Sequence, residues 1–454
     1  MKAGLVSVAA TLMVGVSPVW GTPSTSVQRD TITPITIKGN AFFQGNDRFY
    51  IRGVDYQPGG SSNLTDPIAD PEVCKRDIQK FKDLGLNTVR VYSVDNSMDH
   101  DECMKALADA GIYLVLDVNT PKYAINRASP HKSYNDVYLQ YIFATVEMFA
   151  KYDNTLAFFS GNEVINDTNT TAIAAPYVKA VTRDIRAYLR ARKLRQVPVG
   201  YSAADIAENR LELAEYMNCG PDDVRSDFFA FNDYSWCDPS SFVQSAWDQK
   251  VKNFTGYGIP LFLSEYGCKT NTRKWEEVTS LYSTDMTSVY SGGLVYEYSQ
   301  EDNGYGLVEI GAGNVTELPD YTTLKDAFSK TKNPTGNGGY NSTGGGNPCP
   351  EKDVYWSVST DDVLPAMPEP AKKYLTDGAG KGTGFSGKGS MDSGTESTAT
   401  ATPGSGTATA STSSSTSSKG AAVGLQVPQL TMAPIAIGLA TVLSTLFGAS
   451  LVFL

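Results

Sequence analysis

A parallel (β/α)8 barrel is the fold class predicted for this 454-residue chain, and two observations carry the expectation. Between residues 35 and 328, eight short apolar runs recur, and several of the intervals between them hold apolar residues at helical spacing. Eight strands alternating with helices over a stretch of this length fit a closed barrel. A doubly wound open sheet, the alternative, wants a glycine-rich phosphate turn after its first strand. Arg52-Gly53-Val54-Asp55-Tyr56-Gln57 offers none.

In chain order the runs are residues 50–56, 88–92, 113–118, 156–164, 197–202, 228–235, 260–266 and 294–299. The helical intervals are as specific. Residues 77–84 place Ile78, Phe81 and Leu84 on one face, and Gly85 follows as a stop. Residues 138–152 align Leu139, Ile142, Phe143, Val146 and Phe149, and residues 174–194 align Val178, Val181, Ile185, Tyr188 and Leu189. A further helix is expected over 275–288, before the last run. After the barrel, residues 333–350 are rich in Gly and Asn and read as a linker. The acidic, proline-bearing stretch that follows can pack on the body. Residues 376–418 turn Gly-rich and then Ser/Thr-rich, too poor in apolar surface to offset chain entropy, and are expected to stay extended as an O-glycosylated stalk.

Composition excludes several function classes. Lys and Arg number 38 against 49 Asp and Glu, a net charge of −11, the opposite of what phosphate neutralisation requires, so no nucleic-acid partner is expected. The two histidines, His100 and His131, sit in no metal-spaced or nucleophile-elbow motif. No CxxC occurs, and neither a metal nor a cofactor is expected.

The two ends read as addresses. Lys2 precedes an uncharged run, and Gly21 can end a cleavable secretory signal over 1–21. No charge follows Lys419, the last residues are largely apolar, and Gly420-Ala421-Ala422 lies upstream. That arrangement fits a GPI-attachment signal, with Gly420 the candidate site and 423–454 removed. The expected domains are therefore a catalytic barrel at 22–332, an extension at 333–375 tied back by Cys349, and a stalk at 376–422. Six cysteines, open to fifteen pairings by counting alone, agree with an oxidising compartment. So do the N-glycosylation sequons at Asn63, Asn166, Asn169, Asn253, Asn314 and Asn341. The chain is expected at the cell surface.

A barrel of this kind builds its active site at the C-terminal ends of its strands. The residues that end the runs are carboxylates, amides and tyrosines, without a Ser, Cys or His nucleophile arrangement. Two stand out: Glu163 in Ser-Gly-Asn-Glu after the fourth run, and Glu265 in Ser-Glu-Tyr-Gly after the seventh. The fourth and seventh strands lie on opposite sides of a small barrel, so these side chains can face each other across its mouth. Two carboxyl groups flanking one bond are what glycoside cleavage needs, one to protonate the leaving oxygen and one to attack or to activate water.

The text around these residues is closer to one family. YIRGVDYQPGG (50–60), NTVRVYSVDNSMDHDECM (87–104), LVLDVNTPKYAINR (114–127), FFSGNEVIND (158–167), FNDYSWCDPSSF (231–242), PLFLSEYGC (260–268) and GGLVYEYSQEDNGYGLVE (292–309) resemble the fungal GPI-anchored 1,3-β-glucanosyltransferases, glycoside hydrolase family 72. The resemblance spans roughly residues 35–330. It implies a retaining double displacement that cleaves a β-1,3-glucan donor internally and transfers it to an acceptor chain. In it Glu163 is the acid/base and Glu265 the nucleophile. Asn162 would orient Glu163 or bind a sugar hydroxyl, and Tyr234 would hold Glu265. Gln57, Tyr92, Asp117, Asn119 and Tyr298 would line the sugar subsites, and Arg90 would keep Glu265 ionised by charge pairing. The resemblance also implies the disulfides Cys74–Cys103, Cys237–Cys268 and Cys219–Cys349, and a monomer tethered to the plasma membrane. Some members carry a cysteine-rich glucan-binding module after the barrel; no cysteine follows Cys349 here, which matches the short form. A secreted endo-β-1,3-glucanase would share every one of these residues. A non-catalytic glucan-binding wall protein would need the aromatics but not both glutamates.

Overall fold

The computed structural model describes Met1 and residues 32–401, apart from 61–63, 169–170 and 362. The expected signal segment from residue 2 on, Asn63, Asn169, Gly420 and the stalk and tail beyond 401 lie outside the described residues.

All eight runs become strands of one closed parallel barrel: β4 (Ile51–Asp55), β5 (Thr88–Val91), β6 (Tyr113–Asp117), β7 (Thr155–Asn162), β8 (Val199–Ala204), β9 (Phe228–Asp233), β10 (Leu261–Tyr266) and β11 (Tyr290–Val295). β11 pairs with β4 to close the ring, Gly292 opposite Ile51 and Val295 opposite Val54. The eighth run starts later than its strand does. Tyr290-Ser291-Gly292-Gly293 carries little apolar signal, yet Gly292 takes φ +90, and a Cβ there would sit 2.1 Å from the Ile51 carbonyl oxygen. Glycine is required where β11 presses against β4.

Ten helices are described, and those between the barrel strands include α1 (Pro71–Asp83), α2 (Asp101–Asp109), α3 (Pro130–Ser133), α4 (Asp136–Phe149), α5 (Thr171–Ala191), α6 (Arg210–Met217), α7 (Trp247–Phe254) and α8 (Glu276–Leu281). α1 starts where Asp70 accepts the backbone N–H groups of Glu72 and Val73, with Pro71 in the first turn, and Gly85 at φ +71 follows its end. α4 starts with the Asn135 side chain accepting from Tyr138 N. α8 is shorter than the helix expected over 275–288. The polar run after Tyr282 turns instead, with Ser283 Oγ accepting from Asp285 N.

A three-stranded antiparallel sheet, β1 (Ile35–Lys38), β2 (Ala41–Gln44) and β3 (Asp47–Phe49), seals the end of the barrel where the strands begin. Its Phe42 is fully buried, 6.1 Å from the Phe228 ring and 5.9 Å from Phe262, in an aromatic layer that Phe159 completes. Below it lies the extension. Asn40 N donates to the Asn341 carbonyl and Asn341 N to Asn40 Oδ1, the Cys219–Cys349 disulfide follows, and Trp356 is buried against Tyr216. The hairpin β12 (Val308–Gly311) and β13 (Asn314–Glu317) and the helix α9 (Pro319–Lys330) follow the last barrel strand.

One expectation needs correcting. The stalk was expected to begin at residue 376, but α10 (Tyr374–Asp377) runs into a strap, residues 378–401, that lies along the barrel flank and ends with β15 (Thr400–Ala401) paired to β14 (Leu364–Pro365). Low apolar content forecast an unpacked chain. The strap instead satisfies its backbone with polar groups of neighbouring loops, and Ser390 and Ala401 are buried.

Phe42→Ala is expected to destabilise the chain by about 3–5 kcal/mol, because the closed aromatic layer cannot collapse into the space left. Chemical denaturation of the purified variant measures it, and a loss below about 1 kcal/mol would mean the sheet does not plug the barrel.

Candidate active site

At the opposite end of the barrel the strand ends open into a cavity of about 240 Å³. Tyr92, Asp117, Asn119, Asn162, Glu163 and Glu265, six of the residues expected at the site, line it together.

Glu265, near the end of β10, is 7% exposed and held on both oxygens. Oε1 accepts from the Tyr92 hydroxyl at 2.7 Å and from Arg90 Nη1 at 3.2 Å; Oε2 accepts from the Tyr234 hydroxyl at 2.7 Å. Arg90 rises from β5 with no exposed surface. Its Nε donates to Asp117 Oδ2 at 2.8 Å and its Nη2 to Asp117 Oδ1 at 3.3 Å, while its Nη1 lies 3.8 Å from Asp55 Oδ1. Its guanidinium also lies over the rings of Tyr92 and Phe159.

Arg90 was expected to keep Glu265 ionised; its charge pulls that way, but burial outweighs it. Burial pushes the Glu265 carboxyl up to about 7, against the opposing pull of Arg90, and the charge of Glu163 adds to the rise; the two phenol hydrogen bonds work against it. Arg90 is shared among three carboxyls. Asp55, fully buried with neither oxygen hydrogen-bonded, is raised well above the ordinary carboxylate range, again chiefly by burial.

Glu163 stands just past β7 in a different setting. Its backbone takes the left-handed region, φ 47, uncommon for a side chain of this size. The turn lets two consecutive side chains, Asn162 and Glu163, line one cavity, which a continuing strand would send to opposite faces. Three contacts hold it. Glu163 N donates to the Ser202 carbonyl, Arg127 Nη2 donates to the Glu163 carbonyl at 2.8 Å, and Asn232 Nδ2 donates to Glu163 Oε1 at 2.7 Å. Ser264 Oγ donates to Asn232 Oδ1, which fixes the amide with its NH2 towards the glutamate. Ser202 Oγ donates to Asn162 Oδ1 at 2.7 Å.

Two expected residues are elsewhere. Gln57 is buried and engaged at both ends of its amide: Nε2 donates to the Thr65 carbonyl, and Oε1 accepts from Tyr92 N and Ser93 N. It braces the loop that carries Tyr92 and does not line the cavity. Tyr298 is buried behind the rim, its hydroxyl on Asp77 Oδ1 at 2.8 Å and its ring edge-on to Tyr56 and Phe81. The aromatic that reaches the cavity after β11 is Tyr296, which packs with Tyr305 and Tyr234. Asn119 accepts from the Tyr138 hydroxyl, and its buried Nδ2 has no partner among the described residues, leaving a donor for a bound hydroxyl. Asn166, one of the sequons, also lines the cavity, whereas Asn253 and Asn314 are exposed elsewhere.

Disulfides Cys74–Cys103, Cys219–Cys349 and Cys237–Cys268 are formed. The last clasps the loops that follow Tyr234 and Glu265.

Sequence reasoning missed Asn232, Arg127 and Tyr296 as site residues. Asn232 and Tyr296 stood inside runs already read as strand ends, and only the register of β9 and β11 separates them from their buried neighbours. Arg127 sits in a loop with no periodic signal.

Residues 24–332 match the model of the glucanosyltransferase family. Over its whole length the chain is 74% identical to the whole of the 1,3-β-glucanosyltransferase gel1 of Aspergillus fumigatus. It is 58% identical to the 1,3-β-glucanosyltransferase GAS5 of Saccharomyces cerevisiae over 78% of this chain and 74% of that one. Among solved structures, a mutant of Saccharomyces cerevisiae Gas2p in complex with laminaritetraose and laminaripentaose superposes with a TM-score of 0.69 at 38% identity, covering 75% of this chain and 76% of that one.

Tyr234→Phe removes a donor that favours the ionised form of Glu265, so its carboxyl is expected to titrate above the parent value of about 7. A 13C NMR titration of the labelled carboxyl checks this; an unchanged or lower value contradicts it.

Proposed function

Because this chain belongs to the glucanosyltransferase family, glycoside hydrolase family 72, we propose that it is a retaining 1,3-β-glucanosyltransferase that cleaves a β-1,3-glucan internally and joins the new reducing end to the non-reducing end of a second chain, lengthening cell-wall glucan. The observation that carries the reading is one cavity lined by two glutamates in unlike settings, Glu265 buried and gripped on both oxygens, Glu163 partly exposed and held through its backbone and one amide.

Glu163 is the acid/base and Glu265 the nucleophile. In the first step a Glu265 oxygen bonds to the anomeric carbon while the glycosidic bond breaks, and the proton of Glu163 goes to the departing glucan oxygen. In the second, the 3-hydroxyl of an acceptor attacks that carbon, Glu163 takes its proton, and Glu265 leaves as carboxylate. Arg90 and the hydroxyls of Tyr92 and Tyr234 suit both ends of this cycle, since each donates to a carboxylate that must form, react and form again. Asn162 and Asn119 are placed to bind sugar hydroxyls, and Tyr296 takes the subsite role expected of Tyr298. Asp117 lines the cavity but is occupied by Arg90, so its part is to hold the floor.

The carboxyl pair does not choose between water and a sugar as acceptor. Transfer wins where subsites place a hydroxyl against the intermediate, an advantage that effective molarity can make very large. The site of action is the cell surface, where a GPI lipid attached near Gly420 would hold the enzyme as a monomer. The terminal segments support the secretion and the lipid tether by their composition. Among the described residues no helix is long and apolar enough to cross a membrane.

Incubation with one laminari-oligosaccharide is expected to give products longer than the substrate; shortened products alone would make the chain a glucanase. Glu163→Gln is expected to slow turnover by about 10²–10⁴-fold, the range of general acid–base catalysis, and Glu265→Gln by at least as much. Full activity in either variant would overturn the assignment.

A further inference from the structure

The loop after β6 has two faces. Thr120, Ala124, Ile125 and Arg127 line the cavity, whereas Lys122 and Tyr123 meet the strap. Lys122 Nζ donates to the Phe385 carbonyl at 2.7 Å and the Gly387 carbonyl at 3.3 Å, and the Lys122 carbonyl accepts from Ser390 N at 2.9 Å. Tyr123 Oη lies 3.1 Å from Thr383 Oγ1. The same stretch grips the loop after β5, which carries Ser93 into the cavity: Asn96 Oδ1 accepts from Gly384 N at 2.9 Å, and Asp95 Oδ2 from Phe385 N at 3.2 Å. The approach leaves no room for side chains. A Cβ at 387 would lie 2.0 Å from Tyr123 Oη, and one at 382 would lie 2.1 Å from Asn96 Oδ1.

We propose that the strap is a positioning element of the glucan cleft, holding the outer faces of the β5 and β6 loops so that their inner faces keep an acceptor sugar aligned against the intermediate. The proposal rests on the transferase reading above. The strap brings few apolar side chains, so hydrophobic stabilisation is not its main contribution. Its contacts are directed hydrogen bonds, and they fall on two loops that line the cavity. Loops on a barrel rim are the mobile part of such a scaffold, and a bound partner restricts them. Through Arg127, which donates to the Glu163 carbonyl, the braced loop also reaches the acid/base.

The test uses the full chain, secreted, with Gly382→Val and Gly387→Val together, and separately Lys122→Met, which keeps the stem and removes two strap hydrogen bonds. Products of one laminari-oligosaccharide give the ratio of transfer to hydrolysis, and hydrogen exchange reports whether 378–401 is released. The ratio is expected to fall about tenfold in the valine variant, within the roughly hundredfold that a 1 Å misplacement can cost. Lys122→Met should shift it less and in the same direction, while the pH profile of donor cleavage stays put. An unchanged ratio with a freely exchanging strap overturns the proposal. So does a strap that stays protected in the valine variant, or a ratio that falls only where the whole barrel exchanges and not in Lys122→Met. If the parent itself makes no longer products, the transferase reading fails instead. The strap is then judged on hydrolysis, where release without a rise in KM of about threefold or more overturns it.

Discussion

One guanidinium inside a closed barrel organises the site. Arg90 has no exposed surface, and Asp55, Asp117 and Glu265 converge on it. A charge buried without a partner costs several kcal/mol, so the cation needs carboxylates and they need it. Three anions around one cation exceed balance, however. Burial works against the charge of all three, and Asp55, which has no hydrogen bond on either oxygen and only the 3.8 Å approach of Arg90, is raised well above the ordinary carboxylate range. Asp117 takes the two-pronged contact with Arg90, and Glu265 takes one nitrogen and two phenols. The floor of the barrel thus decides how firmly Glu265 is held before any sugar arrives.

Glu163 depends on a different device. Its position comes from the backbone turn at φ 47 and from donors on two neighbouring elements, Asn232 from β9 and Arg127 from the loop after β6. Strain of that kind persists where surrounding contacts over-determine it. The two carboxyls therefore differ in how they are held: Glu265 is gripped on both oxygens, Glu163 through its backbone and one amide. One is clamped within the barrel, and the other is set by loops that the strap braces from outside.

The barrel was legible in the sequence because fully buried parallel strands are continuous apolar runs, and all eight were present. The two glutamates were legible because each ended such a run. Register was not. Gln57 and Tyr298 end their runs as plausibly as Tyr92 and Tyr234 do, and only the folded backbone shows that the first is spent on backbone amides and the second on Asp77. The strap was misread for a related reason. Composition measures how much apolar surface a segment can bury, and this one packs by bringing bare backbone up to polar loops, which glycine permits and hydrophobicity does not register.

The Cys237–Cys268 clasp ties two rim loops whose strands deliver Tyr234 and Glu265. The hydrophobic layers beneath it require no oxidant to assemble. A chain produced in a reducing cytosol could therefore close its staves and pass as folded by circular dichroism, yet leave the lip of the sugar groove unfastened. The redox state of the compartment in which the chain folds therefore decides whether this clasp is closed.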